Sequence, residues 1–331
     1  MTNAAIILGN RNHKRIYPQA IRERLERHCT LLVEGNTQDL QDLLPTLEPV
    51  EVLFTGWGGP KLTSEVLDAM PNLKLVLYGA GSLKSIATDD FWTKQIPICS
   101  AWVANAVPVA EYTFAQIILA LKQVHRFPGL LRKAKAQDFP EHFEAGGAFH
   151  TTVSLISLGQ IGKFVAKLLQ NLDVNVLAYD PFIDPKEAQR LGVTLVSLEE
   201  AFAQGRVVSL HTPWLPETEG MITGDLLRLI PKGGAFINTA RGAVVKEKEL
   251  IEVLQERSDL SALLDVTYPE PPEPDSPLFT LENVFLTPHI AGSVAGECGR
   301  MGQFMVDELC RYQKGEPLKY QVSKAAFQRM A

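Results

Sequence analysis

Mostly apolar runs of four or five residues recur along the first hundred positions, and the segments between them return an apolar residue every third or fourth position. Ala4–Leu8, Thr30–Glu34, Val50–Phe54 and Lys74–Leu77 read as strands buried on both faces. Ile21–His28 and Lys61–Ala69 carry helical spacing. Strands alternating with helices predict βαβ units and a parallel, doubly wound sheet. The apolar stretch Val107–Val124 has helical length and begins beside Pro108, which suits a first helical turn. Gln137–Gly147 is rich in Gly and charge and reads as a loop.

A second alternating series follows. Val153–Ser157, Val174–Asp180, Val207–His211, Ala235–Asn238, Ala262–Val266 and Val284–Leu286 read as strands, and Gly162–Asn171, Gly224–Leu229 and Lys246–Gln255 as helices. The chain closes on a long helix, Ala295–Gln313, and a polar tail. The halves share an architecture without sharing a sequence repeat. The pattern predicts two α/β domains with a ligand cleft between them.

Composition narrows the reading. A chain of 331 residues is long for one compact domain, and 46% hydrophobic residues suits a soluble globular protein. A net charge of −6 without a basic tract argues against duplex nucleic acid as a partner. The start, Met1–Gly9, is too short for a signal peptide, and no other apolar run is expected to reach the roughly 20 residues of a membrane helix. Cys29, Cys99, Cys298 and Cys310 are scattered without a Cys-x-x-Cys pair, so they read as reduced thiols of a cytoplasmic protein and not as metal ligands.

Ser157-Leu158-Gly159-Gln160-Ile161-Gly162 ends one expected strand and opens one expected helix. Such a turn aims backbone N–H groups and the helix dipole at a pyrophosphate, and glycine allows its close approach. Asp180, at the end of the next strand, stands where a carboxylate binds the adenosine ribose and repels a 2′-phosphate, favouring NAD over NADP. Alternatively, the glycines only close a tight turn and Asp180 caps a loop before Pro181. Ser157 replaces the first glycine of G-x-G-x-x-G, and a right-handed turn is expected there.

Arg241, Glu270 and His289 each follow the carboxyl end of an expected strand. Singly, each has a bland reading as a solvated or capping side chain. Together they supply what reduction of a 2-keto acid requires. Arg holds a carboxylate and polarises the carbonyl, His donates a proton, and a carboxylate beside the His fixes its tautomer.

At these residues the chain resembles the D-isomer-specific 2-hydroxyacid dehydrogenases. The matching segments are Leu158–Gly162, Leu210-His211-Thr212-Pro213 with Pro216-Glu217-Thr218, Asn238–Gly242, Leu264–Pro271 and Pro288–Gly292, joined in the first domain by Gly79–Ser82, Asn105-Ala106 and Val109–Glu111. The resemblance implies an α/β chain of two doubly wound parallel-sheet domains. A Rossmann-type NAD-binding domain over 104–291 is inserted into a flavodoxin-like substrate-binding domain, 1–103 with 292–331. It implies Arg241, Glu270 and His289 as the catalytic set, and Gly79, Ala80, Gly81 and Ser82, with Arg241 and His289, as the substrate site. The implied NAD contacts are Gly159, Gln160, Ile161, Gly162, Asp180, His211, Thr212, Pro213, Thr239, Arg241, Asp265 and His289. A homodimer acting on a small D-2-hydroxyacid or 2-keto acid such as glyoxylate, hydroxypyruvate or phosphoglycerate follows, with no metal. Formate is disfavoured, because formate-oxidising relatives carry glutamine where this chain has Glu270. The length predicts no added regulatory domain. Trp57, in the Thr55–Gly58 segment where the family's substrate loop stands, either narrows the pocket or packs beneath the loop. The alternative function is an NAD(H)-sensing interaction protein like the family's corepressor relatives.

Overall fold

A computed structural model describes residues 1–127 and 146–330, so the part of the Gln137–Gly147 reading that falls on 137–145 lies outside the described residues. The chain forms two compact units, residues 1–106 with 293–330, and residues 107–292.

The first unit is a five-stranded sheet, β1 (Thr2–Leu8), β2 (Cys29–Asn36), β3 (Val52–Thr55), β4 (Leu75–Tyr78) and β5 (Ile98–Ser100), ordered β2-β1-β3-β4-β5. Every pairing is parallel, and the order is the flavodoxin-like one. Alternation along each strand feeds a core on either face. Ala4, Ile6, Leu8, Val52 and Phe54 enter one cluster, and Ala5, Ile7, Leu53 and Val76 the other. The helix Cys298–Gln313 returns to this sheet and seals the first cluster with Met301, Met305, Val306 and Leu309.

The second unit holds seven strands, β6 (Thr151–Ile156), β7 (Val174–Tyr179), β8 (Thr194–Leu195), β9 (Val207–Leu210), β10 (Ala235–Asn238), β11 (Ser261–Leu264) and β12 (Val284–Leu286). Their order is β12-β11-β10-β9-β6-β7-β8, parallel throughout, which is the Rossmann order with one strand added at the edge. Ile156 pairs with Tyr179 and Leu210, Asn238 with Leu210 and Leu264, and Leu264 with Leu286. This register ends the strands in line, so Ser157, Asp180, His211, Thr239, Asp265 and Thr287 open their loops along one edge.

Two expectations need correction. Pro108 does not open its helix, which runs Trp102–Leu121 and carries Pro108 inside. The earlier start arises because Ala104 is drawn into the first unit's core, a long-range contact that overrides the local signal. That same helix reaches membrane length, 20 residues at mean hydropathy 1.3. Ala110, Ile117, Ala120 and Leu121 spend its apolar face on the second unit's core. The short strands β5 and β8 were not anticipated.

Candidate active site

In the second unit, β6 passes into the helix Gln160–Leu169 through Ser157–Gly159. A Cβ on Gly162 would stand 2.2 Å from the Ser157 carbonyl oxygen, so only glycine lets the helix lie this close to the strand end. Among the described residues, a Cβ on Gly159 would meet nothing within 4 Å and no side chain caps the helix. Open space above uncapped N–H groups of Gln160, Ile161 and Gly162 fits a pyrophosphate. Ser157 corrects the expected right-handed turn, since its φ is +77°. The chain must reverse immediately after the Ser157 N–H completes its bond to the Tyr179 carbonyl at 2.8 Å, and a left-handed residue achieves this. The Ser157 hydroxyl lies 3.0 Å from that of Thr212, tying the loop to the end of β9.

Asp180 is more heavily engaged than a free ribose ligand. Its Oδ2 accepts from Leu158 N at 2.7 Å, and its Oδ1 from Phe182 N and Ile183 N at 2.8 and 3.0 Å. One lone pair on Oδ2 is left for a hydroxyl. His211 is buried beside Gly162, with Nε2 3.1 Å from the Ser209 hydroxyl and Nδ1 without a partner among the described residues. Burial pushes its pKa from 6.5 down to about 3, so the ring is neutral.

Arg241 projects from the turn after β10. Asn238 holds that turn: its Oδ1 accepts from Ala240 N at 3.0 Å and its Nδ2 donates to the Arg241 carbonyl at 3.1 Å. A Cβ on Gly242 would lie 2.0 Å from the Thr267 carbonyl carbon, so glycine after Arg241 lets this turn press against the β11 loop. Burial lowers the guanidinium pKa, and the nearby Glu270 carboxylate opposes that shift. Arg241 stays charged in either case.

His289 and Glu270 meet at the same edge, with Nδ1 2.7 Å from Oε1 and side chains 48% and 41% exposed. His289 adopts φ +52°, held by its N–H donating to the Asp265 carbonyl at 3.0 Å. Asp265 is buried, and its carboxylate is spent on the loop that carries His289. Oδ1 accepts from the Thr287 hydroxyl and Ile290 N at 2.6 and 2.9 Å, and Oδ2 from Ala291 N at 2.8 Å. The helix Trp102–Leu121 braces these loops, Tyr112 Oη standing 2.9 Å from Thr287 Oγ1 and Thr113 Oγ1 2.9 Å from Thr239 Oγ1. Sequence reasoning missed Tyr112, Thr113 and Asn238, whose only signal was polarity inside otherwise apolar runs.

The second unit therefore gathers Arg241, Glu270, His289, the glycine loop, Asp180, His211, Thr212 and Thr239 along one sheet edge. Gly79, Ala80, Gly81 and Ser82 stand on the first unit, after β4. The Gly79 N–H donates to the Thr55 carbonyl at 2.8 Å, while the Ala80 carbonyl accepts from the Ser100 hydroxyl at 2.9 Å. Gly81 N and Ser82 N donate to nothing among the described residues. The Trp57 ring packs against both cores of this unit, with the Arg15 guanidinium 5.9 Å above it.

Comparison with known proteins agrees with this layout. Residues 114–291 match the family model for the NAD binding domain of D-isomer specific 2-hydroxyacid dehydrogenases. A D-3-phosphoglycerate dehydrogenase of Archaeoglobus fulgidus is 31% identical over 80% of this chain and 50% of its own length. The chain thus spans about half the length of the phosphoglycerate dehydrogenases it matches. A glyoxylate reductase of Korarchaeum cryptofilum is 30% identical over 77% of each chain. Among solved structures, a D-isomer specific 2-hydroxyacid dehydrogenase from Xanthobacter autotrophicus Py2, in complex with NADPH and MES, superposes with a TM-score of 0.78 at 22% identity, covering 99% of this chain and 100% of its own. The apo D-mandelate dehydrogenase of Rhodotorula graminis gives 0.81 at 19%, covering 98% of each. The chain belongs to the D-isomer specific 2-hydroxyacid dehydrogenase family, and its central unit is that family's NAD-binding domain.

Proposed function

We propose that this chain transfers a hydride between NAD(H) and C2 of a small D-2-hydroxyacid or its 2-keto acid. The observation that carries the reading is the 2.7 Å Glu270–His289 pair on the same strand-end edge as the partly buried Arg241 cation. Glu270 engages Nδ1 and leaves Nε2 to face the substrate, where it protonates the oxygen formed on reduction and takes that proton back on oxidation. Arg241 clamps the carboxylate and polarises the carbonyl through its planar fork. The unclaimed Gly81 and Ser82 N–H groups are donors suited to the substrate carboxylate. NADH, when bound, supplies the hydride. Gly159–Gly162 and Asp180 hold its pyrophosphate and adenosine ribose, and His211, Thr212, Pro213, Thr239 and Asp265 border the same groove.

Asp180 accounts for a preference for NADH over NADPH. Asp180→Ser narrows that preference in competition titrations, and equal affinities in the wild type would remove the assignment. The homodimer implied by the resemblance and the cytoplasmic setting read from the scattered cysteines belong to the same proposal, and four free cysteines suit a reducing compartment. The sensing alternative draws no support from the relatives found. Oxidation of NADH with a panel of 2-keto acids tests the reading, which fails if none is turned over.

A further inference from the structure

Hydride transfer uses one edge of the second unit's sheet and leaves the opposite edge without a role. There Arg206 leads into β9, Gly233-Gly234 into β10 and Asp259-Leu260 into β11. A cavity of about 10 Å³ lies between these segments and the end of the helix Trp102–Leu121, with Gln123, Arg126, Gly233 and Asp259 in its wall. It holds one particle about the size of a water molecule, and it belongs wholly to residues 107–292.

Three donors converge on the space above Gly233. A Cβ on this residue would stand 3.2 Å from Arg206 Nη2, 3.3 Å from Gln123 Nε2 and 3.8 Å from Arg126 Nη1. Gly233 itself sits at φ +71°, a conformation that keeps side chains out of this space. Gln123 is 5% exposed, and its φ of +53° turns the chain at the end of the helix. Its Oε1 accepts from Arg126 Nη1 at 3.0 Å, which leaves Nε2 as the end beside Arg206. Gln123 Nε2 and Arg206 Nε are both buried without a partner among the described residues. Neither Arg126 nor Arg206 forms an ion pair among those residues. The carboxylate in the cavity wall is already spent, because Asp259 accepts from Arg257 Nε and Nη2 at 3.3 and 2.7 Å and from Gly233 N at 2.9 Å. Buried donors left unmatched are costly, and two cations facing one another add repulsion. A water accepts two bonds but must still place its own two hydrogens. A halide only accepts, and its charge offsets the guanidinium groups.

We propose that this cavity is a binding site for a small monovalent anion of halide size, held by Arg206, Arg126 and Gln123. The anion ties the end of the helix Trp102–Leu121 to the leading ends of β9 and β10, at the edge opposite the reacting residues. Stability of the protein therefore depends on chloride, and this holds whatever the substrate.

The test follows the melting temperature as chloride replaces gluconate, an anion too large for the cavity, at constant ionic strength. In wild type, raising chloride to about tenfold its Kd lifts the melting temperature by about 3–6 °C, and the response saturates. Gln123→Glu supplies a carboxylate in the anion's place, so this variant melts at least as high as chloride-saturated wild type and no longer responds. Arg206→Gln loses the response by removing a cation. A flat wild-type titration, or one unchanged in Arg206→Gln, overturns the site. Crystals of wild type grown in bromide decide the matter even where a variant fails to fold. Anomalous density above Gly233 sustains the site, and a water or nothing in that place overturns it.

Discussion

Both sheets of this chain are parallel throughout, and both present their loops beyond the carboxyl ends of their strands, but the two edges offer different chemistry. The edge of residues 107–292 is furnished with side chains: Arg241, Glu270, His289, Asp180 and His211 follow strands that end in register. The equivalent edge of residues 1–106 offers backbone N–H groups at Gly81 and Ser82 that bond to nothing among the described residues, and crowded glycines at 56 and 79. On the function proposed above, one topology supports both a reacting centre and a binding cradle. The winding determines where a ligand meets the sheet, and loop composition determines what happens there.

The comparison breaks most visibly at Arg241. Arg241→Ala is expected to lower kcat/KM by about 10²–10³, the usual cost of a lost transition-state donor, with Arg241→Lys retaining a small part. If NADH-oxidation assays left the alanine variant with more than about a tenth of the wild-type value, the side-chain edge would not be the reacting one.

Close backbone approach supports both units and can be broken in each. Gly162→Ala and Gly302→Ala place a methyl 2.2 Å from the Ser157 oxygen and 1.9 Å from the Ile16 oxygen. Each should destabilise its unit by about 1–3 kcal/mol, read from urea midpoints. Gly159→Ala meets no protein atom and should leave stability nearly unchanged while weakening NADH binding. Unaltered NADH affinity in that variant would show that the space above the helix is not the pyrophosphate site.

His211 separates the units by pH. Its folded pKa is about 3 against an ordinary 6.5, so the unfolded chain binds the extra proton first. Its contribution to stability is intact above about 6.5 and is lost as pH falls toward about 3, at up to about 1.4 kcal/mol per pH unit. Replacing His211 with Gln should flatten that slope in urea titrations between pH 6 and 4, roughly the window where the folded and unfolded rings differ in charge. An unchanged slope would mean the ring is protonated in the folded state.

Ser157 offers the smallest effect. A left-handed serine costs about 1–2 kcal/mol. Ser157→Gly relieves that strain but gives up the Thr212 hydroxyl contact, worth about 1 kcal/mol, and adds freedom to the unfolded chain. The two sides nearly cancel, so net stability should move by less than about 1 kcal/mol. Because the strain is already present before cofactor binds, NADH affinity should change by less than about fivefold in fluorescence titrations. A tenfold tightening would show that the loop rearranges on binding.

The amino-acid sequence by itself determined the succession of strands and helices, the parallel winding of both sheets and the placement of Arg241, Glu270 and His289 after successive strands. Those features rest on local periodicity and on residue types that only a few environments accept. Tertiary structure alone decided the rest. Whether Ser157 and His289 adopt positive φ depends on where the neighbouring strands end. The Glu270–His289 contact joins residues 19 positions apart through the β11–β12 register. Asp265, which the resemblance assigns to the cofactor, spends its carboxylate on the loop of its neighbour. Strands as short as β5 and β8 hold too few residues to show a period, so their pairing partners define them. The helix Trp102–Leu121 likewise begins where burial, not Pro108, dictates.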